Sequence, residues 1–296
     1  MSTTVTPGGP VRRFAGLLHR RPYLRLAALL SAPLLWLVVA YLGSLAALFA
    51  AAFWTTDDFT GQVVKQFNLG NFQELWDQSV YRTITLRSVG VAAAVTVIDT
   101  AVAFPMAFYM AKIASPRAQR WLVIAVLTPL WASYLVKAYA WRIMFSGSGV
   151  LSWILDPFGI HGPGYGLPAT IVTLAYLWLP YMILPIYAGL ERLPNSLLDA
   201  AGDLGARTFR TFRTVIWPVA VPAVIAGSIF TFSLSLGDYI TVKIVGGKSQ
   251  LIGNVVYDNI GAADNLPFAA AVATIPVVIM VIYLVAVRRT GALDNL

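Results

Sequence analysis

Six long apolar runs dominate the chain, at roughly 26–53, 88–111, 121–145, 167–190, 214–238 and 266–287. A helix of about 20 apolar residues crosses the hydrocarbon core of a bilayer. Backbone N–H and C=O groups in lipid must be satisfied within their own segment, so each run is read as a membrane-spanning helix. The expected fold class is all-α and polytopic, with about six transmembrane helices. Composition agrees: of 296 residues, 58% are apolar and 11% charged, against roughly 45–50% and 25% in soluble domains. So few charges could not cover a soluble enzyme or a nucleic-acid binder. No cysteine is present, which excludes disulfides and thiol chemistry. Two histidines, His19 and His161, leave little scope for a metal cluster.

Each run contains proline: Pro33, Pro105, Pro129, Pro168 with Pro180 and Pro185, Pro218 with Pro222, and Pro267 with Pro276. Proline removes a backbone donor and kinks a helix, so these read as kinks in tight packing rather than gating hinges. The first run is too long for the apolar region of a signal peptide, about 7–15 residues, and reads as a retained span.

Orientation follows from Lys and Arg. With the N-terminus in the cytoplasm, fourteen of the 21 basic residues fall inside and five outside (Lys65, Arg82, Arg87, Lys243, Lys248), with Lys137 and Arg142 in the third run. Basic residues gather on the cytoplasmic side of membrane proteins, so both termini are placed there. The net charge of +8 then reports orientation, not an affinity for nucleic acid. The chain divides into a basic N-terminal segment 1–25, a transmembrane domain 26–287 and a cytoplasmic tail 288–296. Residues 1–11 read as a disordered tail. Segments 54–87, 146–166 and 239–265 are expected as external loops. Segment 191–213 is the longest cytoplasmic loop between spans, and no internal repeat is evident.

That loop reads as two short helical pieces. Ser196 can cap the first, with Asp199 three residues on. Leu197, Ala200, Ala201 and Leu204 then share one face. Gly205 supplies a positive φ that ends the helix. Thr208 can cap the second piece, with Phe209 and Phe212 on one side and Arg207, Arg210 and Arg213 nearby. The result is an apolar knob ringed by charge. It could lie in the headgroups, but Asp199 and Asp203 would face anionic lipid poorly, which favours a protein socket.

The segment Asp199-Ala200-Ala201-x3-Gly205-x9-Val215-x-Trp217-Pro218 resembles the EAA motif of ABC importer permeases, Glu-Ala-Ala-x3-Gly-x9-Ile-x-Leu-Pro. Asp stands for Glu, Val for Ile and Trp for Leu. The segment 129–141, with Ser235-Leu-Gly-Asp-Tyr239 and Gly246-Gly247, resembles the PotB-type permeases of spermidine/putrescine importers. The likeness runs from about residue 80 to 288. It implies the type I importer permease (MetI-like) fold and a non-catalytic membrane subunit in a bacterial inner membrane. It also implies a second permease, an external solute-binding protein and two ATPase subunits. The ATPases bind ATP and Mg and dock at 191–213 through Leu198, Asp199, Ala200, Ala201, Asp203, Leu204, Gly205 and Arg207. No cofactor is expected in this chain, and Gly246-Gly247-Lys248-Ser249 only superficially resembles the tail of a phosphate loop.

Residues that could meet a solute are fewer. Asp99 is the one carboxylate well inside a span; it is either a cation contact on the path or a buried, paired carboxylate. Trp131, Tyr134, Ala138, Trp141 and Phe145 form one stripe at helical spacing. Its rings can hold an ammonium by cation–π attraction, or merely form an aromatic belt. Lys137, on that stretch, would repel a polycation unless it is paired or snorkels outward. Asp238, with Tyr239 beside it, is either a cation contact at the outer mouth or a helix-end carboxylate in water. The hydroxyls of Ser228, Thr231, Ser233 and Ser235 are expected to bond back to helix carbonyls. Two further classes compete. A secondary transporter or channel could use Asp99 as an ion or proton site, but lacks a purpose for the loop at 191–213. An intramembrane protease would need a buried Ser–His pair, and neither histidine is in a span.

Overall fold

A computed structural model describes residues 22–57, 60–159 and 164–288. The basic segment as far as residue 21, His19, His161 and the tail beyond Arg288 lie outside them.

Among the described residues five helices are long and apolar enough to cross a membrane, or six if a pair bent by 93° counts as one span. Helix α1 runs from Pro22–Trp36 through a π-helical stretch, Leu37–Leu42, into Gly43–Ala51. A two-stranded ribbon, β1 (Thr55–Thr56) antiparallel to β2 (Val63–Val64), and a short helix α2 (Gly70–Asp77) follow. Helix α3 (Ser79–Phe108) begins nine residues before the apolar run and ends in a π turn, Tyr109–Ile113. Arg82 and Arg87, expected in a loop, therefore stand on its first turns.

The third run was expected as one helix and is two. Helix α4 (Pro116–Trp131) starts on a Ser115 cap with proline at its first position, a favoured helix start. It contains Pro129 and stops at Trp131. Ala132 and Ser133 are extended, and α5 (Tyr134–Phe145) leaves at 93°. Pro129 removes a donor and crowds the carbonyl four residues back, yet that turn stays helical; the bend comes after it, at Ala132 and Ser133.

Beyond a short helix α6 (Val150–Leu155), helix α7 (Leu167–Glu191) keeps going through Pro180 and Pro185. The 191–213 segment holds α8 (Asn195–Asp203) and α9 (Thr208–Thr211). A π-helical stretch, Phe212–Ile216, leads from α9 into α10 (Trp217–Leu236). The wide turn gives room for the ring of Pro218 against the preceding carbonyls. Segment 239–265, expected as a loop, folds into α11 (Ile240–Val245) and α12 (Ile252–Gly261) before α13 (Leu266–Arg288).

The core is the trio α3, α7 and α10. On α3 the buried residues Val91, Val95, Asp99, Ala103 and Ala107 recur every fourth position, one stripe of a helix. α7 and α10 meet closely at Gly227, where an added Cβ would lie 2.7 Å from the Met182 sulfur and 3.1 Å from its Cα. At one end of the bundle, Thr56 donates to Asn265 (3.0 Å), the Gly166 N–H to the Val245 carbonyl (2.9 Å) and the Ile252 N–H to Ser88 Oγ (2.8 Å). These bonds tie the short helices and the ribbon into a folded cap. The 191–213 segment projects from the opposite end.

Candidate functional site

The projecting segment starts where α7 must stop. Leu193 precedes Pro194, a position biased away from helix. Pro194 is extended and itself precedes the first residue of α8, Asn195, with no side-chain cap. Ser196, expected as the cap, is thus already one residue inside the helix. The far end forms as the sequence implies. Gly205 has φ 74°, its N–H bonds to the Gly202 carbonyl (2.8 Å), and the Ala206 N–H bonds to the Ala201 carbonyl (2.9 Å). That paired arrangement closes the helix on a left-handed residue that glycine tolerates best. Arg207 is extended, and α9 starts at Thr208, so Thr208 is not a cap either.

No residue of α8 is fully buried. Leu197, Asp199, Ala200, Asp203, Leu204, Gly205 and Arg207 are exposed, and Leu204 is 88% accessible. Leu198 instead turns inward against the cluster of Met110, Ile186, Leu190 and Leu193. Phe209 and Phe212, expected together, part company. Phe209 is exposed, whereas Phe212 packs edge-on against Phe104, 5.6 Å between centroids. An exposed apolar knob of Leu197, Leu204 and Phe209 remains, with Asp199, Asp203 and Arg207 around it.

The root of the knob is polar and well tied. Lys112 Nζ, on the π turn that ends α3, donates to the Leu193 carbonyl (2.5 Å) and to Asn195 Oδ1 (3.3 Å). Gln119 on α4 donates to Tyr187 Oη (2.6 Å) and Glu191 Oε1 (3.2 Å), and Tyr187 donates to Glu191 (3.0 Å). Sequence reasoning counted Lys112 only as an orientation charge and passed over Gln119 and Tyr187. The partners of Lys112 and Gln119 are 68 to 83 residues away along the chain, so no local pattern marks them; only the Tyr187–Glu191 bond is an i, i+4 pair.

Within the bundle, Asp99 is fully buried, and neither carboxylate oxygen has a hydrogen-bond partner among the described residues. The reading of Asp99 as a paired carboxylate is not what the structure holds. The Trp178 Nε1 and Ser235 Oγ atoms are likewise buried and unpartnered. Ser228 and Thr231 do bond back, to the carbonyls of Ile225 (2.7 Å) and Ser228 (3.4 Å).

Asp238 is not a carboxylate in water: it is 8% accessible. It accepts a hydrogen bond from the Tyr134 hydroxyl and another from the Thr241 N–H (2.8 Å). Tyr134 Oη also lies 2.5 Å from Thr241 Oγ1. This polar knot joins α5 to the start of α11. Tyr239 stacks on Tyr257 (4.7 Å), over which Lys243 sits at 4.1 Å while pairing with Asp258 (2.5 Å). The aromatic stripe is cut by the bend. Trp131 is 86% accessible on the far side of it. Tyr134 stacks on Trp178 (5.8 Å), and Trp141 packs on Phe145 (5.3 Å) and Tyr176 (5.4 Å). These rings are packing, not an open lining. Lys137 has no carboxylate partner among the described residues.

Residues 96–291 match the family of binding-protein-dependent transport system inner membrane components. Over its whole length the chain is 42% identical to the inner membrane ABC transporter permease protein YdcU of Escherichia coli, covering 99% of that protein. It is 33% identical over 76% of its length to the spermidine/putrescine transport system permease protein PotB of Haemophilus influenzae, covering 80% of that protein. Against PotB of Escherichia coli it is 29% identical, covering 88% of this chain and 95% of that one. Among solved structures, a chain of a bacterial ABC transporter involved in import of the acidic polysaccharide alginate superposes with TM-score 0.66. It shares 16% identity, over 94% of this chain and 99% of that one. A chain of the MetNI methionine ABC transporter superposes with TM-score 0.54 at 17% identity, over 70% of this chain and 93% of that one. A binding-protein-dependent family sets aside the secondary transporter or channel. The chain belongs to the inner-membrane permease subunits of binding-protein-dependent ABC importers, and is related to the PotB permeases.

Proposed function

We propose that this permease passes a small ammonium-bearing solute of the spermidine/putrescine class, delivered by an external binding protein. A second permease completes the path, and two ATPase subunits dock on segment 191–213 and bind the ATP and Mg. This chain itself carries no cofactor and no catalytic group. Both termini and the 191–213 segment lie in the cytoplasm. The observation that carries the docking reading is the exposed knob of Leu197, Leu204 and Phe209 on a helix whose two ends are fixed by hydrogen bonds. Apolar side chains held rigidly at the tip of a charged projection suit a groove in a soluble partner. The coupling set is Leu198, Asp199, Ala200, Ala201, Asp203, Leu204, Gly205 and Arg207, with Leu198 acting from the inner side.

The solute reading rests on the PotB relatives and on Asp99. A buried carboxylate without a partner is costly, and the cost is recovered if an ammonium group reaches it as the helices part. Tyr134, Trp141, Asp238 and Tyr239 would then shape the outer mouth through the polar knot rather than contact solute in the closed packing. Trp131 stands apart from them on the far side of the bend.

One reconstitution tests both parts. The chain, with its ATPase, second permease and binding protein, is placed in proteoliposomes and assayed for uptake of radiolabelled putrescine and spermidine. We expect uptake that requires ATP at constant membrane potential and that fails without the binding protein. ATP-independent uptake would sink the importer reading, and uptake of neutral or acidic solutes alone would sink the solute class. Cysteines introduced singly at Ser196 and Gln250 test sidedness in whole cells. An impermeant thiol reagent should modify only the second, and labelling of position 196 from outside would overturn the orientation.

A further inference from the structure

Helix α8 has little to hold it to the bundle: no residue of it is fully buried, and Leu198 alone of its core turns inward. Lys112 supplies the other link. Its ammonium group donates to the Leu193 carbonyl just past the end of α7 and to Asn195 Oδ1 at the first residue of α8. One side chain on the turn that ends α3 thus meets the link after α7 and the start of α8. The turn that carries it is π-helical, Tyr109–Ile113, and wide turns of this kind are frequent at functional positions. Thirteen residues back on the same helix is Asp99, about 20 Å away at 1.5 Å per residue.

We propose that Lys112 is the strut by which displacement of α8 is passed to α3, and so to the buried carboxylate at position 99. This rests on the docking reading given above. A Lys donor is suited to the task because it grips the entry to α8 at two points, the Leu193 carbonyl in the link after α7 and Asn195 Oδ1 on α8, and so follows that entry as it moves. Lys112 is a positioning residue: it lies on the root of α8, away from the exposed faces of Leu197, Leu204 and Phe209, and acts through α3.

The test uses the reconstituted importer with Lys112→Met and Lys112→Arg. Three quantities are read on each preparation: ATPase recovered with the permease, ATP hydrolysis, and solute uptake. For Lys112→Met we expect full ATPase recovery and continued hydrolysis. Uptake per ATP should fall about tenfold or more, the size of bias between two states that one charge-assisted hydrogen bond supplies. Lys112→Arg, which keeps charge and reach, should restore most of the ratio. An unchanged ratio in Lys112→Met overturns the strut, as does loss of uptake and hydrolysis in strict proportion. Loss of ATPase recovery also overturns it, because Lys112 would then shape the docking surface rather than transmit from it. Failure of the docking reading appears separately, as a wild-type permease that recovers no ATPase.

Discussion

The Tyr134 hydroxyl donates to the Asp238 carboxylate, joining the first residue after the 93° bend to the second residue beyond α10. Thr241 completes the knot from α11. Two segments separated by more than 100 residues are thus pinned at a point almost closed to water. A buried carboxylate that loses a donor bears the cost of its unmet desolvation.

We therefore expect Tyr134→Phe to destabilise the permease by about 1.5–3 kcal/mol, the range for hydrogen bonds to charged groups. Asp238→Asn should cost less, since its amide oxygen keeps the bond from the Thr241 N–H while its NH2 donates to the Tyr134 hydroxyl, which can turn its proton to Thr241 Oγ1. Thermal unfolding in detergent measures both. A Tyr134→Phe protein that melts with wild type would show that the bond contributes nothing to holding the bend.

Gly205 tests the tip of the projection. Its φ of 74° is left-handed, which costs a residue with a Cβ about 1–2 kcal/mol and a β-branched one more. No atom outside its own turn lies within 4 Å of a Cβ placed there, so the penalty is conformational rather than steric. Gly205→Val should unwind the end of α8, move Leu204, and reduce ATPase recovery and uptake together. The amount of permease in the membrane should not change. Normal recovery in Gly205→Val would remove the turn from the docking surface.

Features set by local pattern were legible in the sequence. The spans follow from hydropathy and the end of α8 from Gly205. The bend was not. Pro129, like Pro180 and Pro185, lies in an apolar run, yet α7 runs on through both of those while α4 stops. The bend brings Tyr134 to the knot that holds α5 against α11, a contact no window of sequence contains. The caps at Ser196 and Thr208 failed for a simpler reason. Each helix starts one or two residues earlier than its hydroxyl residue requires, after Pro194 and Arg207. Lys112 and Gln119 were invisible because their meaning lies in acceptors on other helices.

Close packing of α7 on α10 makes a separate prediction. A methyl group at Gly227 would press on the Met182 sulfur at 2.7 Å and on its Cα at 3.1 Å. The sulfur can swing away, but the backbone cannot without parting the helices. Gly227→Ala should cost about 1–3 kcal/mol by overpacking. Met182→Ala alone should cost about 2–5 kcal/mol by leaving a cavity. The double variant should be less destabilised than the sum, because each change relieves part of the other. Strict additivity in thermal unfolding would mean that these two residues do not touch.

Asp99 carries the sharpest prediction, because stability and transport should move apart there. The side chain is fully buried on the stripe between Val95 and Ala103, with no donor for either oxygen among the described residues. A carboxylate so placed is a liability to the fold and is retained at a cost. Asp99→Asn keeps the shape and removes the charge. The resting protein should melt at the wild-type temperature or above it. If the carboxylate meets an ammonium group during passage, uptake of a diamine at low concentration should fall about tenfold or more, the loss of one charge-assisted contact. ATPase recovery should be unaffected, since position 99 is about 20 Å from the root of α8. A lowered melting temperature would assign Asp99 a structural partner and remove it from the solute path. A stable variant with unchanged uptake would leave the carboxylate without a role in cation transport.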